Sequence, residues 1–210
     1  MGRTLSALSS VARMHAGMFV AIDASARTVV LVEGVSDQRA LETLAARHGH
    51  DLASAGVAIV AMGGSKNVRY AIDRFGPAGL DLGLAGLVDA PEEGDYRRAL
   101  ERAGLTLGPT RDDLERLGLF VCEGDLEDEL IRALGATRVE AILQAQGDLS
   151  KFRTLQRQPA QRGRPIEAQL WRFMGTKGGR KEAYAAYLVE ALDLEEMPRP
   201  LDLLLRHVTR

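Results

Sequence analysis

The sequence predicts an α/β fold, with a mostly parallel four-stranded sheet flanked by helices and a helical C-terminal extension. Three observations carry that expectation. Four short apolar runs recur along the first 122 residues, and each is followed by glycine or an acid and then by a helical pattern. After about residue 137 no strand-like run appears, and the apolar spacing is helical throughout. The length of 210 residues suffices to bury roughly 70% of the unfolded surface without disulfides or structural metals.

The elements follow in order. Residues 1–26 read as an N-terminal helix or a partly disordered segment. They lack the continuous apolar stretch of a targeting signal. The β-branched run at 28–32 (TVVLV) predicts a buried parallel strand, with Ser36 as N-cap of a helix to about 48. A second strand at 57–61 (VAIVA) ends in Met62-Gly63-Gly64-Ser65 before a helix over about 66–74, for which Ser65 is the N-cap rather than a phosphate contact. The third strand, 84–88 (LAGLV), runs into Asp89 and a helix over about 92–102, and the fourth, 119–122 (LFVC), precedes a helix over about 126–134. Beyond it, residues 139–146, 166–173, 182–192 and 201–208 are helical, with 158–165 (QPAQRGRP) a turn-rich connector. The organisation expected is therefore an N-terminal segment (1–26), a core (27–136) and a helical C-terminal subdomain (137–210).

Composition narrows the function classes. The chain has 27 basic and 29 acidic residues, a formal charge of −2 and one cysteine, Cys122. That excludes a histone-like polycation and an internal disulfide framework, and argues against a cysteine-based zinc site. No apolar stretch is long enough to span a membrane, and a reducing cytoplasm is the expected compartment. The near-neutral total hides an uneven distribution. Residues 150–181 hold nine basic side chains, Lys151, Arg153, Arg157, Arg162, Arg164, Arg172, Lys177, Arg180 and Lys181, against one acid, Glu167. Such a strip suits a phosphate backbone. The four histidines lack metal-ligand company, Cys122 reads as a buried strand residue, and Trp171 and Phe173 read as packing rather than as base-stacking groups.

Acids follow three of the strands: Glu33 and Asp37 after the first, Asp89, Glu92, Glu93 and Asp95 after the third, Asp125, Glu127, Asp128 and Glu129 after the fourth. Open parallel sheets place their sites at those strand ends. Carboxylates gathered there repel one another, and a hard divalent cation with oxygen ligands resolves the repulsion. Two such ions about 4 Å apart clamp the attacking and leaving oxygens of a phosphodiester.

VLVEGVSDQRAL, the GGSKN turn, GLVDAPEE and DLEDEL resemble the Toprim (Rossmann-like) domain, in the form found in OLD (overcoming lysogenization defect) nucleases. GRKEAYAAYLVEAL and MPRPLDLLL resemble that family's C-terminal part, so the likeness spans about residues 27–208. It implies phosphodiester chemistry with Mg²⁺ or Mn²⁺, two ions in the OLD branch, and DNA as substrate. Carried over by position, Glu33, Asp37, Asp89 and Glu127 hold metal, with Asp125 a neighbour. Glu33, Asp89 and Lys181 are the catalytic group, Lys181 (or its rival Lys177) offsetting charge on the phosphate. The nucleic-acid grip falls to Lys151, Arg153, Arg157, Arg162, Arg164, Lys177 and Arg180.

Two departures from the family pattern stand out. The second acid of the Asp-x-Asp pair falls at Pro91, with Glu92 or Glu93 as substitute. The chain also lacks a Gly-x-x-x-x-Gly-Lys-Ser/Thr phosphate loop, so the ATPase that accompanies OLD domains is expected as a separately encoded partner. The oligomeric state stays open, a homodimer included. The acidic site alone does not separate hydrolysis from primase-like nucleotidyl transfer, and Pro91 favours a third alternative, a non-catalytic module that binds nucleic acid or a partner.

Overall fold

A computed structural model describes residues 22–105 and 108–210. The expected N-terminal element, except for residues 22–26, and His15 lie outside them. The four apolar runs form strands β1 (Thr28–Val32), β2 (Val57–Ala61), β3 (Gly83–Val88) and β4 (Leu119–Val121). All pair in parallel, in the order β2-β1-β3-β4. Val30 stands opposite both Ile59 and Ala85, and Leu87 opposite Phe120.

Alternation along the strands sends side chains to two apolar cores. Val29, Leu31, Val88 and Leu119 join Ile72, Phe75, Leu100 and Leu114 on one face, beneath α2 (Val68–Phe75), α3 (Glu93–Arg102) and α4 (Arg111–Arg116). Val30, Val32, Leu87 and Phe120 join the other core, with α1 (Val35–Arg47), α5 (Leu126–Leu134), α6 (Ala136–Ala145), α7 (Leu149–Gln156), α8 (Ile166–Met174), α9 (Arg180–Ala191) and α10 (Arg199–Val208). Leu41, Leu44, Leu188 and Leu204 are fully buried there, and each contributes roughly 1.5–3 kcal/mol of transfer free energy. Arg47, in the last turn of α1, donates to the carbonyls of Val189 and Leu192, each at 2.6 Å. That places a cation on the negative end of the α9 dipole.

Several local expectations are corrected. Gly34, not Ser36, takes the N-cap position of α1, because Asp37 three residues later accepts the Gly34 N–H at 2.8 Å. Gly64 replaces Ser65 as the residue ahead of the next turn, and Ser65 is buried within it. Two helices, α4 and α7, were not expected. The first is short and held by reciprocal hydrogen bonds between Thr110 and Asp113. The second has apolar residues only at positions 149, 152 and 155, of which Phe152 packs edge-on against Phe173 at 5.5 Å. No helix among the described residues is long and apolar enough to cross a membrane.

The strand order positions the site. β2 lies on one side of β1 while β3 lies on the other, so the chain changes direction at β1/β3. A crevice opens there at the carboxyl ends, where such sheets take ligands. The close approach of β1 and β3 requires Gly86, since a Cβ on it would sit 2.4 Å from the Leu31 carbonyl oxygen. Gly86→Ala is expected to destabilise the fold by about 2 kcal/mol or more, as a lower denaturant midpoint; an unchanged midpoint would contradict this packing.

Candidate metal centre

The strand ends bring the acids together. Gly63 and Gly64 donate their N–H groups to the Glu33 carbonyl oxygen at 2.9 and 3.1 Å, a turn that needs positive φ at both glycines, +72° and +123°. Ala90 N–H donates to the Gly124 carbonyl at 3.0 Å, joining the loop after β3 to that after β4. Glu33, Asp89, Glu92, Asp125 and Asp128 line one open cleft of about 540 Å³. Asp37 and Glu127 are buried behind it, with Glu127 only 2% exposed.

Lys181 is brought in from the start of α9. Its Nζ lies 2.9 Å from Glu127 Oε2 and 3.7 Å from Asp125 Oδ2. The rival Lys177 is exposed in the preceding loop and has no ion pair among the described residues. Asp125 is engaged at both oxygens: Oδ1 accepts the Asp128 N–H at 2.8 Å, and Oδ2 accepts the indole N–H of Trp171 at 2.6 Å. Pro91 lines the cleft without a donor, and Glu92 lies next to it. Glu93 is drawn away by Arg97 and Arg111, at 2.8 and 3.0 Å. Of the two substitutes for the missing acid, only Glu92 therefore lines the cleft.

Electrostatics follow from this crowding. Burial pushes the Asp37 carboxyl up to about 7, helped by Glu127 and Glu33 and opposed by the Gly34 N–H and Lys181. Asp89 is pushed to about 8, by burial first and then by the charges of Asp37, Asp125, Glu33 and Glu127. Burial works against the Lys181 charge, but Glu127, Asp125 and Asp37 outweigh it and hold its pKa above the ordinary value. Burial also raises the Cys122 thiol, which is therefore no nucleophile.

These residues fit a divalent cation. All donors are oxygens. The buried Glu127 Oε1 has no hydrogen-bond partner, and the raised carboxyls are those that a positive ion would bring back down. Among the described residues, no three His, Cys, Asp or Glu side chains stand close enough to enclose one ion. The carboxylates thus converge without forming a closed coordination shell. His48 and His50 stack on each other at the far end of α1, and His207 packs on Phe120, so neither pair joins the acids.

The basic strip is thinner in space than along the chain. Lys151 pairs with Asp148 at 2.7 Å, and Arg153 with Glu140 at 2.6 Å. Arg180 lies 3.4 Å from Asp148 and over the Phe173 ring, with a side chain only 9% exposed. Arg157, Arg162, Arg164, Arg172 and Lys177 are exposed and carry no ion pair among the described residues. Sequence reasoning also missed one wall of the cleft. Pro165, Ala168 and Trp171 recur every third residue and line it together with Glu167. That spacing was the available signal.

Residues 26–84 match the family model of the overcoming lysogenization defect protein-like TOPRIM domain. The fold as a whole is similar to the C-terminal region of the Burkholderia pseudomallei OLD protein (22% identity, TM-score 0.61, 87% of this chain and 96% of that one). It is equally similar to the C-terminal region of the OLD protein of Xanthomonas campestris pv. campestris (22% identity, TM-score 0.63, 88% and 94%). At that identity the likeness is one of fold. No curated protein sequence matches the chain.

The raised carboxyls predict a pH dependence. Folded Asp37 and Asp89 hold protons that the unfolded chain releases near its ordinary value of 3.8. Their contribution to stability is therefore complete below that value and lost as the pH rises through about 7 and 8. In EDTA the melting temperature should fall between pH 6 and about 8.5, and less steeply in Asp89→Asn. Mg²⁺ or Mn²⁺ at about tenfold over its dissociation constant should raise the melting temperature at pH 8 by about 3–5 °C. Equal melting curves with and without the ions would remove the cation from this cleft.

Proposed function

We propose that this chain is a metal-dependent nuclease that hydrolyses DNA phosphodiester bonds in a reducing, cytoplasmic compartment. The observation that carries the reading is the convergence of Glu33, Asp37, Asp89 and Glu127 from the ends of β1, β3 and β4 beside Lys181. The OLD-like Toprim match and the OLD-like fold support it. Glu33, Asp37, Asp89 and Glu127 hold Mg²⁺ or Mn²⁺, with Glu92 in the place of the missing second acid. Two such ions, when bound, would supply Lewis acidity for an attacking water and for charge on the leaving oxygen. Lys181, released in part from Glu127, faces the charge that builds on the phosphate. Asp125 holds Trp171 and the Lys181 side of the cleft in place through its two oxygens.

The DNA backbone lies along the exposed cations Arg157, Arg162, Arg164 and Lys177, which lead it past Pro165 to the cleft. Lys151, Arg153 and Arg180 serve the fold through their acid partners. A second reading, a non-catalytic nucleic-acid-binding module, is favoured by Pro91 alone.

Supercoiled plasmid incubated with Mg²⁺ or Mn²⁺ tests the proposal. Wild type should nick it, Glu33→Gln and Asp89→Asn should abolish nicking, and Lys181→Met should slow it by about a hundredfold. Lys177→Met should leave the rate near wild type. Nicking that survives both acid substitutions sinks the site, and tight DNA binding without nicking in either metal favours the module. Replacing Arg157, Arg162 and Arg164 with Ala should weaken DNA binding and flatten its dependence on log salt, by up to about 0.9 for each phosphate that these side chains neutralise. Lys151→Ala should change neither.

A further inference from the structure

Trp171 stands out because the catalytic reading does not use it. Its indole is 38% exposed, one of few large apolar side chains left in solvent among the described residues. Its neighbour in the same helix, Phe173, is 2% exposed and packs on Phe152. The two aromatics of α8 thus have different tasks. Trp171 is also held still. Its N–H is fixed on Asp125 Oδ2 at 2.6 Å, and the Lys181 ammonium lies 5.9 Å from the ring centroid. An exposed aromatic ring pinned by its edge has lost its rotamer freedom in advance, so a ligand that stacks on it need not order it.

The surroundings select the ligand. Ala168 and Pro165, about one and two helical turns before Trp171, complete an apolar wall. Around that wall stand Glu33, Asp89, Glu92, Asp125, Asp128 and Glu167. Without cations such a rim repels a phosphate, and with them a phosphate is drawn to the carboxylates that hold the ions; in both cases the apolar wall is left to a neutral, flat heteroaromatic ring. Phosphate-binding charge is nearby in the chain: Arg162 and Arg164 are exposed just ahead of Pro165. A polyanionic strand crossing that loop would present its bases, not its phosphates, to the Trp171 wall.

We infer that Trp171, with Pro165 and Ala168, is a stacking surface for an unpaired nucleobase, so the strand taken into the acidic cleft is single-stranded there. The inference deepens the nuclease reading and rests on its nucleic-acid part. Bases paired in a duplex keep their faces stacked on one another and have none free for the indole. An unpaired base offers a face whatever its identity, so the surface is tolerant of sequence.

Trp171 is the single tryptophan of the chain, so its emission reports on this position alone. The test is a titration of the full chain with a short oligothymidylate, in Ca²⁺. Its arms are the same strand in duplex, a strand of equal length without bases, and free thymidine monophosphate. Binding is followed in parallel by anisotropy of a fluorescein label on each strand. Expected are strong quenching by the single strand, little by the duplex, and none by the abasic strand or the mononucleotide. By anisotropy, Trp171→Ala should weaken single-strand binding about tenfold, while Trp171→Phe, which keeps a ring, stays within about threefold. Single-strand binding with unquenched emission and an unaffected Trp171→Ala variant would overturn the stacking surface and leave the nucleic-acid reading intact. Equal quenching by the mononucleotide would overturn it in favour of a free-nucleotide site. No anisotropy change with any strand would remove the nucleic-acid reading and this inference with it.

Discussion

The bond between Lys181 and Glu127 is the contact on which the acidic end of this molecule depends. A parallel sheet delivers the ends of β1, β3 and β4 to one edge, and in this chain each end carries carboxylates. Burial and their mutual repulsion raise Asp37 and Asp89 far above the ordinary range. Glu127, buried to 2% exposure, would be the costliest of them to leave unpaired. The Lys181 ammonium reaches it at 2.9 Å from a helix 54 residues further on, and so ties the C-terminal helices to the sheet electrostatically as well as through the apolar core. One cation against several anions is incomplete compensation, and the orphaned Glu127 Oε1 marks where more positive charge would be satisfied.

The cleft divides its chemistry by wall. Acids from the strand ends occupy one side, and the helix face of Pro165, Ala168 and Trp171 the other. Asp125 links the two, accepting from the Trp171 indole while standing 3.7 Å from Lys181. The same separation explains the near-zero net charge. Acids face inward at the sheet edge, while the free cations lie on the exposed connector near residues 157–164. Asp148 and Glu140, outside the basic segment in sequence, neutralise Lys151 and Arg153 within it.

Much of this is legible in the sequence, and the misses have physical causes. The four strands were readable because a strand covered on both faces must be apolar throughout, as TVVLV and VAIVA are. Helix α7 was missed because three apolar residues in eight give a weak period, and its helicity comes from Phe152 packing into the core. Ser36 reads as a cap by residue type, yet Asp37 bonds back to Gly34 and sets the helix start earlier. Nothing local distinguishes Trp171 from Phe173. Two positions on a helix of 3.6 residues per turn point to different sides, and only the neighbours of each side decide which is core.

The parallel α/β architecture and the placement of acids after three of the strands follow from the order of residues alone, because hydrophobic periodicity and strand-end position are local properties of the chain. Which of those acids meet was decided only by the tertiary structure. The order β2-β1-β3-β4 makes Glu33 and Asp89 neighbours across the switch point, and the fold adds Arg111 to the local i,i+4 partner Arg97 in holding Glu93. Likewise, the choice of Lys181 over Lys177 as the cation at Glu127, and of Trp171 over Phe173 as the exposed ring, rests on contacts between residues tens of positions apart. Charge pairing and burial act through space, so no spacing along the chain fixes them.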